Sequence, residues 1–324
     1  MRYRVFGRTG LEVSEIGFGA WGIGRFMWIG AEDRESLRAL DRAIDLGLNF
    51  IDTALAYGDG HSEKLVGQAV RKRRETIHVA TKVPPKNLLW PARPGIPIEQ
   101  AFPYQHVVRS TETSLRNLGM ETVDVQQFHV WSPGWLASEE WRRAIEDLKK
   151  SGKIRYFGIS INDYQPDSAL EAIATGLIDC VQVIYNIYDP TAAERLFPAC
   201  QERGVGVIVR VPLDEGGLTG SITPDTVFPE GDWRDRYFRG ERRRQVWERA
   251  GKLAGAVGES HGTLAQVALR FCLSHPAVST VIPGMRSVRN VESSCAVSQL
   301  GALPDAVLGE LQNHTWIRNF YGRD

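Results

Sequence analysis

Short, largely apolar runs alternate along the chain with stretches whose apolar positions recur every three or four residues. The runs cover residues 16–21, 49–54, 77–82, 123–129, 156–160, 180–186, 206–211 and 278–284. Each has strand length and stays apolar, as parallel strands do when both faces are covered. Between them, Leu37, Leu40 and Ile44 mark one face of a helix that Gly47 stops, and Leu65, Val66, Ala69 and Val70 mark another. Further helical stretches span 107–118, 139–150, 167–175, 193–203, 263–273, 288–300 and 305–316. Eight strands, each followed by helix, predict an α/β fold: a closed (β/α)8 TIM barrel. An open doubly wound sheet halts nearer to about six strands. Ahead of the barrel, residues 3–14 read as a β-hairpin around Gly7-Arg8-Thr9-Gly10.

Two connections are long. Residues 83–103 carry Pro84, Pro85, Pro91, Pro94, Pro97 and Pro103, and residues 212–240 are rich in Gly, Pro and Asp. Both follow the C-terminal end of a predicted strand, where barrel enzymes place their substrate loops. The alternation resumes beyond each, so neither is a linker, and residues 1–324 are expected to form a single domain.

Gly17-Phe18-Gly19-Ala20-Trp21-Gly22 spells G-x-G-x-x-G. That motif binds a dinucleotide only where a helix N-terminus follows directly. Here Ile23-Gly24-Arg25-Phe26 follows, without a helical stripe. The glycines are better read as letting the backbone bend and another group approach closely.

Composition narrows the class. The chain has 324 residues, 39 Lys plus Arg against 39 Asp plus Glu, and 43% hydrophobic residues. Balanced charge argues against a nucleic-acid partner. The basic cluster 240–244 is short and flanked by acids, so it reads as a solvated helix start. No apolar run reaches membrane-spanning length or resembles a secretory signal, so a cytoplasmic protein without a membrane partner is expected. Cys180, Cys200, Cys272 and Cys295 lie too far apart for metal spacing and read as buried thiols. No metal is called for.

The chemistry gathers at strand ends. Asp52 ends the second predicted strand, Tyr57 lies in the loop behind it, Lys82 ends the third strand and His129 the fourth. In a closed barrel these ends share one rim. A phenol is a weak acid at neutral pH. An ammonium beside it favours its phenolate, a carboxylate fixes the ammonium, and a histidine can orient a carbonyl. Such a set donates a proton during carbonyl reduction, with the hydride supplied by a cofactor.

Taken together, Gly7-Arg8-Thr9-Gly10-Leu11-Glu12-Val13-Ser14, Asn49-Phe50-Ile51-Asp52-Thr53-Ala54, Tyr57-Gly58, Ala80-Thr81-Lys82, Phe128-His129, the run 152–160, Pro212-Leu213 and Val281-Ile282-Pro283-Gly284 resemble the aldo-keto reductase family over almost the whole chain. The resemblance implies a barrel whose N-terminal hairpin closes the bottom. It makes Tyr57 the general acid, with Asp52, Lys82 and His129 as catalytic partners. The implied cofactor is NADPH, with NADH possible, lying extended across the rim. Gly19, Ala20, Trp21 and Asp52 would adjoin the nicotinamide, and Ser160 and Gln182 would hold its carboxamide. Pro212, Leu213, Gly216 and Leu218 would follow the pyrophosphate. Gly284, Met285 and Arg286 would meet the adenosine 2′-phosphate, with Asn290 near the adenine. Arg210 stands where many members stack an aromatic ring on the nicotinamide.

Trp21, Trp28, Trp90, His129 and Trp131 are the expected substrate pocket, with Trp135 and Trp233 in neighbouring loops. Such walls suit a small carbonyl compound or the apolar face of a sugar. The leading expectation is an NADPH-dependent reductase of aldehydes or ketones. A sugar or polyol dehydrogenase is the alternative within enzymes. A cofactor-binding regulatory subunit is the alternative outside them, disfavoured by the lack of a long N-terminal extension. The sequence names no oligomeric partner.

Overall fold

The computed structural model describes residues 1–321. Strands β1 (Tyr3–Val5) and β2 (Glu12–Ser14) form an antiparallel hairpin with Tyr3 opposite Ser14. Strands β3 (Phe18–Gly19), β4 (Phe50–Asp52), β5 (His78–Val83), β6 (Val123–Phe128), β7 (Ile154–Ser160), β8 (Cys180–Ile184), β9 (Gly206–Arg210) and β10 (Thr280–Val281) pair in parallel, each with the next in sequence. All eight predicted runs therefore carry a strand.

The ring closes between its first and last members. Gly17 N donates to Val281 O (2.8 Å) and Gly19 N to Pro283 O (3.0 Å), while Val281 N donates to Glu15 O (2.9 Å). A Cβ on Gly19 would lie 2.5 Å from the Ile282 carbonyl oxygen, so closure requires glycine there. The glycine run thus serves strand-to-strand contact. Only a short 3-10 turn, Trp21–Ile23, follows it, and the first α-helix starts at Asp33.

The hairpin is the floor. Phe6, Leu11 and Val13 pack inside the ring against Phe50, Ala80, Val125, Ile208 and Ile282. The larger apolar layer lies between the strands and the outer helices. One of those helices, Leu264–Ser274, opens with Thr263 and Gln266 capping each other reciprocally.

Two expectations need correction. Helices predicted at 167–175 and 193–203 each begin as a 3-10 turn, Pro166–Ala169 and Thr191–Ala193, before Leu170–Ala174 and Leu196–Arg203. The second correction is larger. The basic cluster does start a helix, Arg242–Val257, but Arg242 is buried and not solvated. Its Nη2 donates to Asp214 Oδ2 (2.7 Å), and its guanidinium lies 3.3 Å from the Phe320 ring centroid and 4.2 Å from that of Trp316. The apolar positions Val246, Ala250, Leu253 and Val257 are helically spaced, but arginines and glycines dilute the pattern. Removing one partner of a buried ion pair strands the other. Arg242→Met is therefore expected to destabilise the fold by about 3–5 kcal/mol, measured by urea denaturation. A change within error would show that Asp214 is satisfied without it.

All four cysteines are buried and free, as expected. Among the described residues, no helix is long and apolar enough to cross a membrane.

Candidate active site

At the C-terminal rim the four predicted residues do converge. Asp52 ends β4 and Lys82 stands near the end of β5, both buried, and Lys82 Nζ is hydrogen-bonded to Asp52 Oδ1. The ammonium also donates to Thr53 O (2.8 Å) and reaches Tyr57 Oη at 3.3 Å. His129 follows β6, its ring edge-on to Tyr57 with centroids 5.6 Å apart. Trp21 also stacks on Tyr57, with centroids 6.1 Å apart.

Two glutamines complete the cluster. Gln182 Nε2 donates to Asp52 Oδ2 (2.8 Å), and Gln127 Nε2 donates to the same oxygen (3.2 Å). Asp52 thus accepts from three side chains, so its buried carboxylate oxygens are hydrogen-bonded. Gln127 went unforeseen. The available signal was a polar pair, Gln126-Gln127, inside an otherwise apolar strand, since a buried polar residue is more telling than a buried apolar one. Gln182, expected beside a carboxamide, gives its N–H to Asp52 and keeps its side-chain carbonyl oxygen as an acceptor.

The electrostatics depart from expectation at one point. Burial pushes the Tyr57 phenol above its ordinary value and outweighs the downward pull of Lys82. Burial would lower the Lys82 ammonium, but Asp52 and Tyr57 together raise it. His129 is held well below the ordinary histidine range, first by burial and then by Lys82 and Arg210. At neutral pH the set is a protonated phenol, an ammonium–carboxylate pair and an uncharged imidazole. Among the described residues, His129 Nδ1 is buried without a partner.

Around this centre the predicted binding residues divide. Ser160 and Gln182 end β7 and line β8 next to the cluster, register partners on adjoining strands. Arg210 ends β9, but its Nη2 is tied to Asp163 Oδ1 (2.6 Å) and Ile161 O (3.0 Å), so it is pinned by a partner the sequence did not reveal. Pro212 and Leu213 lead into a turn spanning Asp214–Thr219 that contains Gly216 and Leu218. Leu218, Met285 and Ala20 are fully buried, backbone included, so these three expected contacts lie beneath the surface of the rim. Gly284 is exposed, with nothing within 4 Å of a Cβ added there. Asn290 lies in the first turn of helix Val288–Leu300, its backbone N–H capped by Ser287 Oγ at 3.3 Å.

Arg286 is only partly solvated. Its Nη1 donates to Ile29 O (3.0 Å), its stem covers Gly22, and its guanidinium lies 5.3 Å from the Trp28 ring, which Arg234 approaches at 4.6 Å. Arg234 is paired with Asp232. Among the described residues, no carboxylate lies within salt-bridge distance of Arg286.

The tryptophans also divide. Trp21, Trp28 and Trp90 stand at the rim, Trp90 edge-on to His129 at 4.5 Å. Trp131 does not: it is fully buried against Trp135 and Trp141, in the layer between barrel and helices. Its position after β6 permitted either place, and packing decided. Trp233 joins the wall instead, 6.4 Å from Trp21.

Residues 15–315 match the model of the Aldo/keto reductase family. The NADH-specific methylglyoxal reductase of Escherichia coli is 29% identical, with 93% of this chain and 94% of that protein covered. A probable voltage-gated potassium channel subunit beta of Arabidopsis thaliana is 30% identical, with 96% of each covered. The solved structure of an aldo/keto reductase from Klebsiella pneumoniae in complex with NADP and acetate is 25% identical, covers 98% of this chain and 97% of its own, and superposes with a TM-score of 0.72. With a family model spanning nearly its whole length and a closed eight-stranded barrel bearing the family's expected rim cluster, this chain belongs to the aldo/keto reductase family.

Proposed function

We propose that the protein is an NADPH-dependent reductase of aldehydes or ketones in which Tyr57 is the general acid. The observation that carries the reading is the Tyr57 hydroxyl within 3.3 Å of a Lys82 ammonium that is itself paired with buried Asp52. When bound, NADPH supplies the hydride.

The protein's own residues handle the proton. Tyr57 Oη donates to the substrate carbonyl oxygen as negative charge develops there. Burial keeps the phenol protonated over the working pH range, and Lys82 stabilises the phenolate left behind. Asp52, fixed by Gln127 and Gln182, holds the ammonium under the ring. Uncharged His129 can offer an N–H to the same carbonyl oxygen and align it. The aromatic rims of Trp21 and Trp90 limit access of water to the reacting atoms.

The rim fits a dinucleotide phosphate. Among the described residues, Arg286 has no carboxylate within salt-bridge distance, and it is set beside exposed Gly284 and the start of a capped helix. If it clamps a 2′-phosphate, Arg286→Ala should weaken NADPH by roughly one to two decades, the worth of a charged hydrogen bond, and NADH far less. Fluorescence titration of both cofactors against both proteins checks this. Equal weakening would assign Arg286 to holding the Ile29 loop.

The function itself is tested by following NADPH oxidation against a panel of aldehydes, ketones and aldoses. Turnover of sugars or polyols only with NADP+ would reverse the proposed direction. Cofactor binding without turnover of any substrate would favour a regulatory subunit.

A further inference from the structure

The turn after β9 contains an acid that, among the described residues, has no cation within salt-bridge distance. Backbone φ is positive at Val211 (53°), Asp214 (47°) and Glu215 (54°), a conformation that side chains resist and β-branched ones resist most. Asp214 is buried and bonded to Arg242 (2.7 Å) and to Tyr237 Oη (2.6 Å). Glu215 instead accepts a hydrogen bond from Tyr321 Oη at 2.6 Å, from the last of the described residues. Tyr321 stacks on Trp233 (5.7 Å), Trp233 rests against Trp21, and Trp21 stacks on Tyr57. The turn and the C-terminal segment therefore meet on one wall of the acid–base site.

The charges facing Glu215 come from four directions. Asp214 adjoins it in the turn, Arg210 ends β9, Asp163 follows β7, and Tyr321 closes from the C-terminal segment. Arg210 is already engaged with Asp163, and Arg242 with Asp214. Among the described residues, no cation lies within salt-bridge distance of Glu215. Burial pushes its carboxyl up to about 7, against the pull of the Tyr321 hydrogen bond; Asp214 and Asp163 add to the rise, and Arg210 opposes it.

We propose that Glu215 is a cofactor-contacting residue whose proton gates the dinucleotide: the turn receives the phosphates when Glu215 is protonated and repels them when it is charged. This rests on the cofactor reading above, in which Pro212, Leu213, Gly216 and Leu218 follow the pyrophosphate. Where Glu215 is charged in the free protein, binding takes up one proton from solvent there, and dissociation releases it. The sign follows. Affinity is full below the free carboxyl's midpoint and falls as pH rises through it, by at most about tenfold per unit because one proton is involved.

The test titrates NADPH and NADH into the full-length protein and its Glu215→Gln and Tyr321→Phe variants, from well below to well above pH about 7. The wild-type Kd is expected to rise with pH, by up to about tenfold per unit above the midpoint. Glu215→Gln is expected to hold the low-pH affinity throughout. Tyr321→Phe should move the midpoint upward, since the lost hydrogen bond favoured the charged carboxylate. The 2′-phosphate of NADPH titrates by itself, so the NADH series and the difference between wild type and Glu215→Gln isolate the protein's group.

Parallel curves for wild type and Glu215→Gln would overturn the proposal. If Glu215→Gln does not fold, an unmoved midpoint in Tyr321→Phe overturns it equally. Failure of the wild type to bind either dinucleotide at any pH would instead overturn the cofactor reading.

Discussion

Tyr57→Phe is expected to lower kcat for carbonyl reduction by about 10²–10⁴, the usual contribution of a placed general acid. The substitution removes one oxygen and keeps the ring that stacks on Trp21 and faces His129. Cofactor affinity should therefore stay near wild type, and the fold should be unchanged. The loss should appear in kcat and kcat/KM together, because the hydroxyl acts only as the carbonyl oxygen gains charge. Steady-state kinetics with one good aldehyde, alongside an NADPH titration, is sufficient. Retention of most of kcat would take Tyr57 out of the acid role and leave His129, uncharged at neutral pH, as the group to examine.

Lys82→Met should be nearly as damaging, by a different route. The ammonium offsets part of the burial that raises the Tyr57 phenol, and it stabilises the phenolate that proton donation leaves. Without it the phenol rises further and becomes a poorer donor, so kcat falls at neutral pH. The sign at alkaline pH is opposite and more specific. Reduction needs the protonated phenol, so the alkaline limb of the kcat profile should move to higher pH in the variant. A limb that stays in place would count against coupling between the two groups. The change also leaves Asp52 buried with, among the described residues, only Gln127 and Gln182 as side-chain donors. A cost of about 3–5 kcal/mol in stability is expected from stranding such a charge. Lys82→Met combined with Asp52→Asn should recover stability without recovering turnover. That separates loss of fold from loss of function.

The barrel was legible because its signals are local. Eight apolar runs of strand length and helical spacing between them follow from each segment's own need to bury one face or two. The converging rim was legible for a topological reason. Once strands run parallel around a ring, residues at their C-terminal ends must be neighbours, so Asp52, Lys82 and His129 meet whatever lies between them. The same logic does not reach loops. Trp131 and Trp90 both follow strands, yet one is buried between barrel and helices and the other faces His129. Composition cannot separate them, because both destinations are aromatic and largely apolar.

Sequence alone determined the order of elements, the (β/α)8 class, the four residues that converge at the rim and the burial of the cysteines. These depend on period, strand length and residue type. The tertiary structure alone decided the contacts between residues remote in sequence. Gln127 and Gln182 fix Asp52, Asp163 pins Arg210, Arg242 is buried on Asp214, and Tyr321 reaches Glu215 across 106 positions. It also decided the sign of the Tyr57 shift. Neighbouring charge can be read from a motif, but the burial that outweighs it is summed over every segment packed around the ring.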